Sequence, residues 1–247
     1  MSNIAVSGFR FRPRIAPTLA VAVLLPVFVA LGIWQTHRAD FKRALQAEYD
    51  ARIAGPVVAI EPRLQPADAL RFYRVLARGT YESDRQFFVD NRVHRGVAGF
   101  HVVTPLRIAG SNVRVLVNRG WIAANPDRSR LPTADVPAGE MEVAGIAIVP
   151  ATGHFMLGEP PAASGVWESV WPHLDLERFA KAVSYPVQPV IVLLDPASAA
   201  GGFVREWARL DTGIKTHQSY AFQWYSLAVA VAAVYLLVHF RHGERRS

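Results

Sequence analysis

The chain has no cysteine in its 247 residues. Disulfides, thiolate metal sites and covalent c-type haem attachment are therefore excluded. A copper chaperone would depend on histidine and on Met1, Met141 and Met156. Soft Cu(I) prefers sulfur ligands, so that reading is set aside. Catalytic signatures are missing too: there is no G-x-S-x-G, P-loop, H-E-x-x-H or dinucleotide glycine motif. None of the 20 acidic residues forms a pair that sequence marks as general acid and base. The chain is read as a non-enzyme. There is no internal repeat and no low-complexity linker.

Charge is also absent from two long stretches. Thr18 to Trp34 (TLAVAVLLPVFVALGIW) carries none, and Ser219 to Phe240 (SYAFQWYSLAVAVAAVYLLVHF) has only the titratable His239. A bilayer core about 30 Å thick needs roughly 20 helical residues. The second stretch is long enough, and the first becomes so when counted from Ile15. Backbone groups in lipid must be satisfied internally, so both are expected to be helical, with a local kink at Pro26. Arg10, Arg12 and Arg14 with the small-x-small triplet Ala30-Leu31-Gly32 raise a cleaved signal peptide as the alternative. The length of the apolar run and Trp34 as an interfacial anchor favour a retained span.

Arginines flank both spans on the terminal side: Arg10, Arg12 and Arg14 before the first, Arg241, Arg245 and Arg246 after the second. Both tails are accordingly expected in the cytoplasm. Setting aside those six and Glu244 leaves 21 basic against 19 acidic side chains. The basic balance thus belongs to the tails, and nucleic-acid binding loses its support. Arg38, Lys42 and Arg43 just beyond the first span count against this orientation, but long domains translocate largely regardless of charge. The expected organisation is a tail (1–14), a span (15–35) continuing as an amphipathic helix to about 54, a periplasmic domain (36–219), a second span (220–240) and a tail (241–247).

Beyond Trp34, His37, Phe41, Leu45 and Tyr49 recur every four residues until Gly55-Pro56 stops the helix. An irregular connector follows at 61–69. From Leu70 the period becomes two, with strands expected at 71–82, 86–93, 100–108, 113–121, 140–149 and 187–194, and a last one at 205–211. Asp175 to Ala182 reads as the one clear helix between the spans. This predicts a membrane protein with two transmembrane helices and an α+β, mainly antiparallel-β domain whose sheet closes on itself.

Four separated stretches carry a resemblance. They are Leu31-Gly32-Ile33-Trp34-Gln35 with Arg38 and Lys42; Tyr73-Arg74-Val75 with Gly79 and Tyr81; Gly96, Gly99-Phe100 and Thr104-Pro105-Leu106 with Val115-Leu116-Val117-Asn118-Arg119-Gly120-Trp121; and His217-Gln218-Ser219-Tyr220-Ala221-Phe222-Gln223-Trp224-Tyr225. In these the sequence resembles the Surf1/Shy1 family of cytochrome c oxidase assembly factors. The resemblance implies a role in building haem-copper oxidase, around the haem a of subunit I. Its implied partners are subunit I and haem A synthase, besides the bilayer. The tail before the first span is shorter than a mitochondrial transit peptide, so a bacterial inner membrane is expected.

Haem binding needs an imidazole for iron, cations for propionates and apolar surface for the ring. His217, just before the second apolar run, meets the first need best. On a helix it shares a face with Tyr220 or Ala221 and Trp224. Lys215 lies close, and His37 with Arg38 leaves the first span at the same membrane level. The expected haem a site is therefore His217 as ligand, with Tyr220, Trp224, Lys215, His37 and Arg38 around a transiently held group. Equally open are His217 as a hydrogen-bonding residue at the helix entry, Tyr220 and Trp224 as plain interfacial anchors, and His37 as a solvated side chain. Gly99, Pro105, Asn118, Arg119, Gly120 and Trp121 are assigned to structure or partner contact. Gly96 and Gly99 are expected to shape a turn, Asn118 to Trp121 to end a strand, and Arg119 to anchor a buried carboxylate or face a partner. His94, His101, His154 and His173 lack ligand-like spacing. A membrane scaffold that stabilises oxidase subunits without touching haem is the alternative function.

Overall fold

The computed structural model describes residues 9–11, 13–127, 129–150, 167–207 and 213–242. In chain order the elements are β1 (Phe9–Phe11), α1 (Ile15–Ala54), β2 (Val58–Ala59), α2 (Ala67–Leu70), β3 (Arg74–Tyr81) and β4 (Phe87–His94). There follow β5 (Val97–Ile108), β6 (Arg114–Ala123), β7 (Glu140–Ile148), β8 (Val170–Trp171), α3 (Leu176–Ala182), β9 (Val187–Leu194), α4 (Ile214–His239) and β10 (Phe240–His242). They divide into a helical unit, Met1–Ala47 with Leu210–Ser247, and a β unit, Glu48–Arg209.

In the helical unit, α1 and α4 are long and apolar enough to cross a membrane, and only 6% and 11% of their most apolar stretches are buried. The core helix of a soluble protein would be covered. Here Ile15, Val23, Phe222 and Leu237 stand more than 60% exposed, which a water-soluble surface does not tolerate at this density. The chain is a membrane protein. Among the described residues three polar bonds join the helices, one of them Thr36 Oγ1 to Tyr225 Oη at 3.4 Å, and the two shortest mark two levels. Thr18 Oγ1 meets Tyr235 Oη at 2.7 Å, and Gln35 Oε1 meets His217 Nδ1 at 2.7 Å. The helices thus run antiparallel. At 1.5 Å per residue the two levels are about 25 Å apart, close to the thickness of a hydrocarbon core. Between them Gly32 lies against Tyr225, where a Cβ would come 2.5 Å from Cε1. β1 pairs antiparallel with β10, Phe9 opposite His242, so both chain ends leave the helix pair together.

In the β unit, strands β3, β7, β9, β6 and β5 form a closed barrel. Each pairs with the next, and β5 returns to β3 through Gly79–Tyr81 opposite Leu106–Ile108. Closure brings β3 so near β5 that a Cβ on Gly79 would strike the Arg107 carbonyl, which only glycine avoids. β4 and β8 extend the sheet beyond β5, and β2 extends it beyond β3. Alternate residues of each strand point inward: Val75, Ala77 and Tyr81 from β3, Val190, Val192 and Leu194 from β9, Val115 and Val117 from β6. The outer side of β6 and β9 is also covered, because Leu116 and Ile191 pack with Phe87, Trp171 and Phe179 beneath α3. Burial on both faces explains why Val115, Leu116 and Val117 of β6 are apolar without alternation. Asp175 caps α3 by accepting the Arg178 backbone N–H at 2.9 Å.

Most expected elements are present, with instructive differences. β3 starts at Arg74 rather than 71, because α2 occupies the connector and Phe72 takes a φ of 67°. β6 continues through Ala123 rather than ending at Trp121. Gly120, at φ 118°, sits where its register with β5 shifts. No strand forms at 205–207; instead Val204 bridges to Trp121. The rest of that expected strand, 208–211, lies outside the described residues, as does His154. Two-residue β2 and β8 are too short for any periodicity to announce.

Candidate functional site

Gly32, Gln35 and Ala39 are the buried residues of α1, and the first two meet α4, at Tyr225 and at His217. The three lie three and four apart, one face of a helix. Gly32 lets Tyr225 of α4 approach, and the amide one turn on reaches His217. The amide oxygen can only accept, so Nδ1 of His217 donates across 2.7 Å. A neutral imidazole carries one N–H, which leaves the Nε2 lone pair uncommitted among the described residues.

Below this bond, Trp224 faces Phe28 of α1, ring centroids 5.7 Å apart and tilted by 30°. Ala221 and Ala228 fill the helix interface. Tyr220 is about half exposed and Lys215 is exposed. The result is an imidazole at the end of an apolar helix pair, over an aromatic surface, with the exposed Lys215 two residues before it in the chain. That chemistry suits a flat amphiphile with one ligand-seeking centre and acidic substituents.

The structure does not bring His37 to this place: it follows Gln35 by two residues, which on a helix turns it to nearly the opposite side, whereas Arg38, three residues on, stays about 60° from Gln35. Both are exposed, and the Arg38 guanidinium lies 5.4 Å over the Phe41 ring. Lys42 follows Gln35 by seven residues, two turns along the same face, and is half exposed. Sequence reasoning missed Gln35 and Phe28 as site residues. The signal for Gln35 was present: a lone amide at the edge of an uncharged run. Nothing comparable marked Phe28. An apolar groove of about 350 Å³ lies at the other end of the helix pair, lined by Pro17, Val21, Val234 and Tyr235 among others. It lies at the opposite end from His217, and its lining includes His239, whose Nδ1 is 2.7 Å from the Tyr235 carbonyl. Among the described residues no cluster of three or more His, Asp or Glu side chains could hold a bare metal ion.

In the β unit the residues assigned to structure or partner contact are largely interior. Arg119 is 2% exposed and bonds no carboxylate among the described residues. It donates to the carbonyls of Asp135 (2.6 Å) and Gly201 (3.2 Å), to Gln86 Oε1 (3.1 Å) and to Thr104 Oγ1 (3.4 Å). Its guanidinium sits between the Tyr81 and Phe203 rings. Burial lowers its pKa and raises that of Tyr81. Arg119 is thus a tie between β6 and two loops rather than an anchor for an acid. Pro105 is buried inside β5. Gly96 takes the turn at φ 80°, whereas Gly99 lies inside β5, where a Cβ would meet Trp121 Cε2 at 2.6 Å. Trp121 covers that gap and donates its indole N–H to the Arg92 carbonyl at 2.9 Å. Asn118 Nδ2 donates to His101 Nδ1 at 3.3 Å. Burial, with the Arg92 charge second, holds the pKa of His101 down to about 4.

Residues 22–229 match the SURF1 family model. Among curated proteins, the chain is 27% identical over 236 residues to a SURF1-like protein of Monosiga brevicollis, covering 89% of this chain and 86% of that one. It is 25% identical over 233 residues to Surfeit locus protein 1 of Xenopus tropicalis, covering 84% and 71%. With the human Surfeit locus protein 1 it shares 24% identity over 236 residues, covering 86% and 74%.

Proposed function

This chain belongs to the SURF1 family, and from that premise we propose that it assists assembly of haem-copper cytochrome c oxidase by holding haem a for subunit I. Haem a is cargo in this reading, taken up and passed on. The observation that carries the proposal is the imidazole of His217, bonded through Nδ1 to Gln35 with no partner at Nε2 among the described residues, beside the Trp224–Phe28 surface. His217 would ligate iron and the aromatic surface would cover the ring. Lys215 and Lys42 would face the propionates. Arg38 and His37 are left to the membrane surface. Haem A synthase would supply the cargo and subunit I would receive it, with no catalysis by this chain. Both tails would be cytoplasmic and the β unit periplasmic, in a bacterial inner membrane.

The test is an absorption spectrum of the detergent-purified protein coexpressed with haem a biosynthesis. Wild type should copurify with haem a, and His217→Ala should lose at least nine-tenths of it. A null strain should assemble oxidase deficient in haem a. A protein that never takes up haem yet still retains oxidase subunits would instead support a scaffold that stabilises assembly intermediates. Full haem content and activity in the null strain would refute both readings.

A further inference from the structure

The structure assigns Gln35 as the positioning residue for His217: its side-chain carbonyl selects the imidazole tautomer in which Nε2 is free to bind a metal. Gln35 is 8% exposed, one turn from the place in the helix interface where Gly32 lies against Tyr225 of α4. Small residues alone would close that interface. An amide buried there costs stability unless it is bonded, and the bond it makes is short, 2.7 Å, to Nδ1. Carbonyl oxygen accepts and never donates, so the ring proton is held on Nδ1. Histidines that bind metals through one nitrogen ordinarily donate the other N–H to a carbonyl or carboxylate, which fixes the ring and raises its basicity. Gln35 supplies that partner from the opposite helix. The ligand is therefore assembled only when α1 and α4 are paired, which ties cargo binding to an intact helix hairpin.

The inference shares its site with the haem reading, and its first test does not need haem. The full chain, labelled with ¹⁵N-histidine and held in detergent above pH 8, should give a protonated Nδ1 and an unprotonated Nε2 for His217, identified by its loss in His217→Ala. Gln35→Leu should shift His217 toward the Nε2–H form, while Gln35→Glu should keep Nδ1 protonated. A wild-type His217 with bare Nδ1, or a tautomer unchanged in Gln35→Leu, would overturn the assignment. The second test loads each variant with haem a. Gln35→Leu should weaken binding about 10- to 100-fold. Gln35→Glu should bind, with a lower reduction potential, because a stronger hydrogen bond makes the imidazole more electron-rich. Loss of packing alone would not move the potential of Gln35→Glu. Equal affinity and potential in all three proteins would remove the positioning role even if haem binds at His217. The expected tautomers without any haem uptake would leave Gln35 as assigned and refute the haem reading.

Discussion

His101 shows how a single side chain can make stability depend on pH. Its folded pKa of about 4 lies below the ordinary value near 6.5. Between these values the unfolded chain binds the proton and the folded chain does not, so stability is full above about pH 6.5 and falls as pH drops toward 4. The loss is of order 1–3 kcal/mol, because His101 keeps partial contact with solvent. Thermal unfolding followed by tryptophan fluorescence should show a midpoint that falls over this window in wild type and falls less in His101→Gln. Arg119 acts through hydrogen bonds rather than charge pairing. Arg119→Met would leave the Asp135 and Gly201 carbonyls without a donor and cost roughly 2–4 kcal/mol. Arg119→Lys cannot reproduce the fork and should recover only part of that loss. Neither change should alter the spectrum of bound haem, because Arg119 serves the barrel.

At the scale of elements, the helix pair depends on close approach. Gly32→Leu would force the side chain into Tyr225 and separate α1 from α4 near the Gln35–His217 bond. The cysteine-free background makes this measurable. A bifunctional thiol reagent should link Thr18→Cys to Tyr235→Cys efficiently, and the yield should fall several-fold when Gly32→Leu is added. An unchanged yield would mean that the helices do not rely on this contact. Helix α3 offers a smaller effect: Asp175→Ala removes the N-cap and should cost about 1 kcal/mol, read in the same thermal assay.

For the whole molecule, the prediction is topological. Single cysteines at Ser111, in the turn between β5 and β6, and at Ser247, in the C-terminal tail, should report opposite sides of the membrane. In right-side-out spheroplasts an impermeant maleimide should label Ser111→Cys at once and Ser247→Cys only after permeabilisation. Equal labelling would contradict the two-span orientation. The basic residues that argue against it, Arg38, Lys42 and Arg43, are partly occupied locally, since Arg43 pairs with Asp40 and Arg38 lies over Phe41.

The amino-acid order by itself determined whatever is written in local period and composition: two uncharged runs that must be helical in lipid, the amphipathic continuation to Gly55, alternating strands from β3 to β9, and the cap at Asp175. Each follows from interactions between residues a few positions apart. Tertiary structure alone decided which distant groups meet. The closure of β3 on β5 and the neutral acceptors of Arg119 could not be read from spacing. The same holds for His217, whose partner is Gln35 across 182 positions. A one-dimensional pattern shows the period of a face but not the rotation at which that face is used, and that rotation is set by where Gly32 allows α4 to approach.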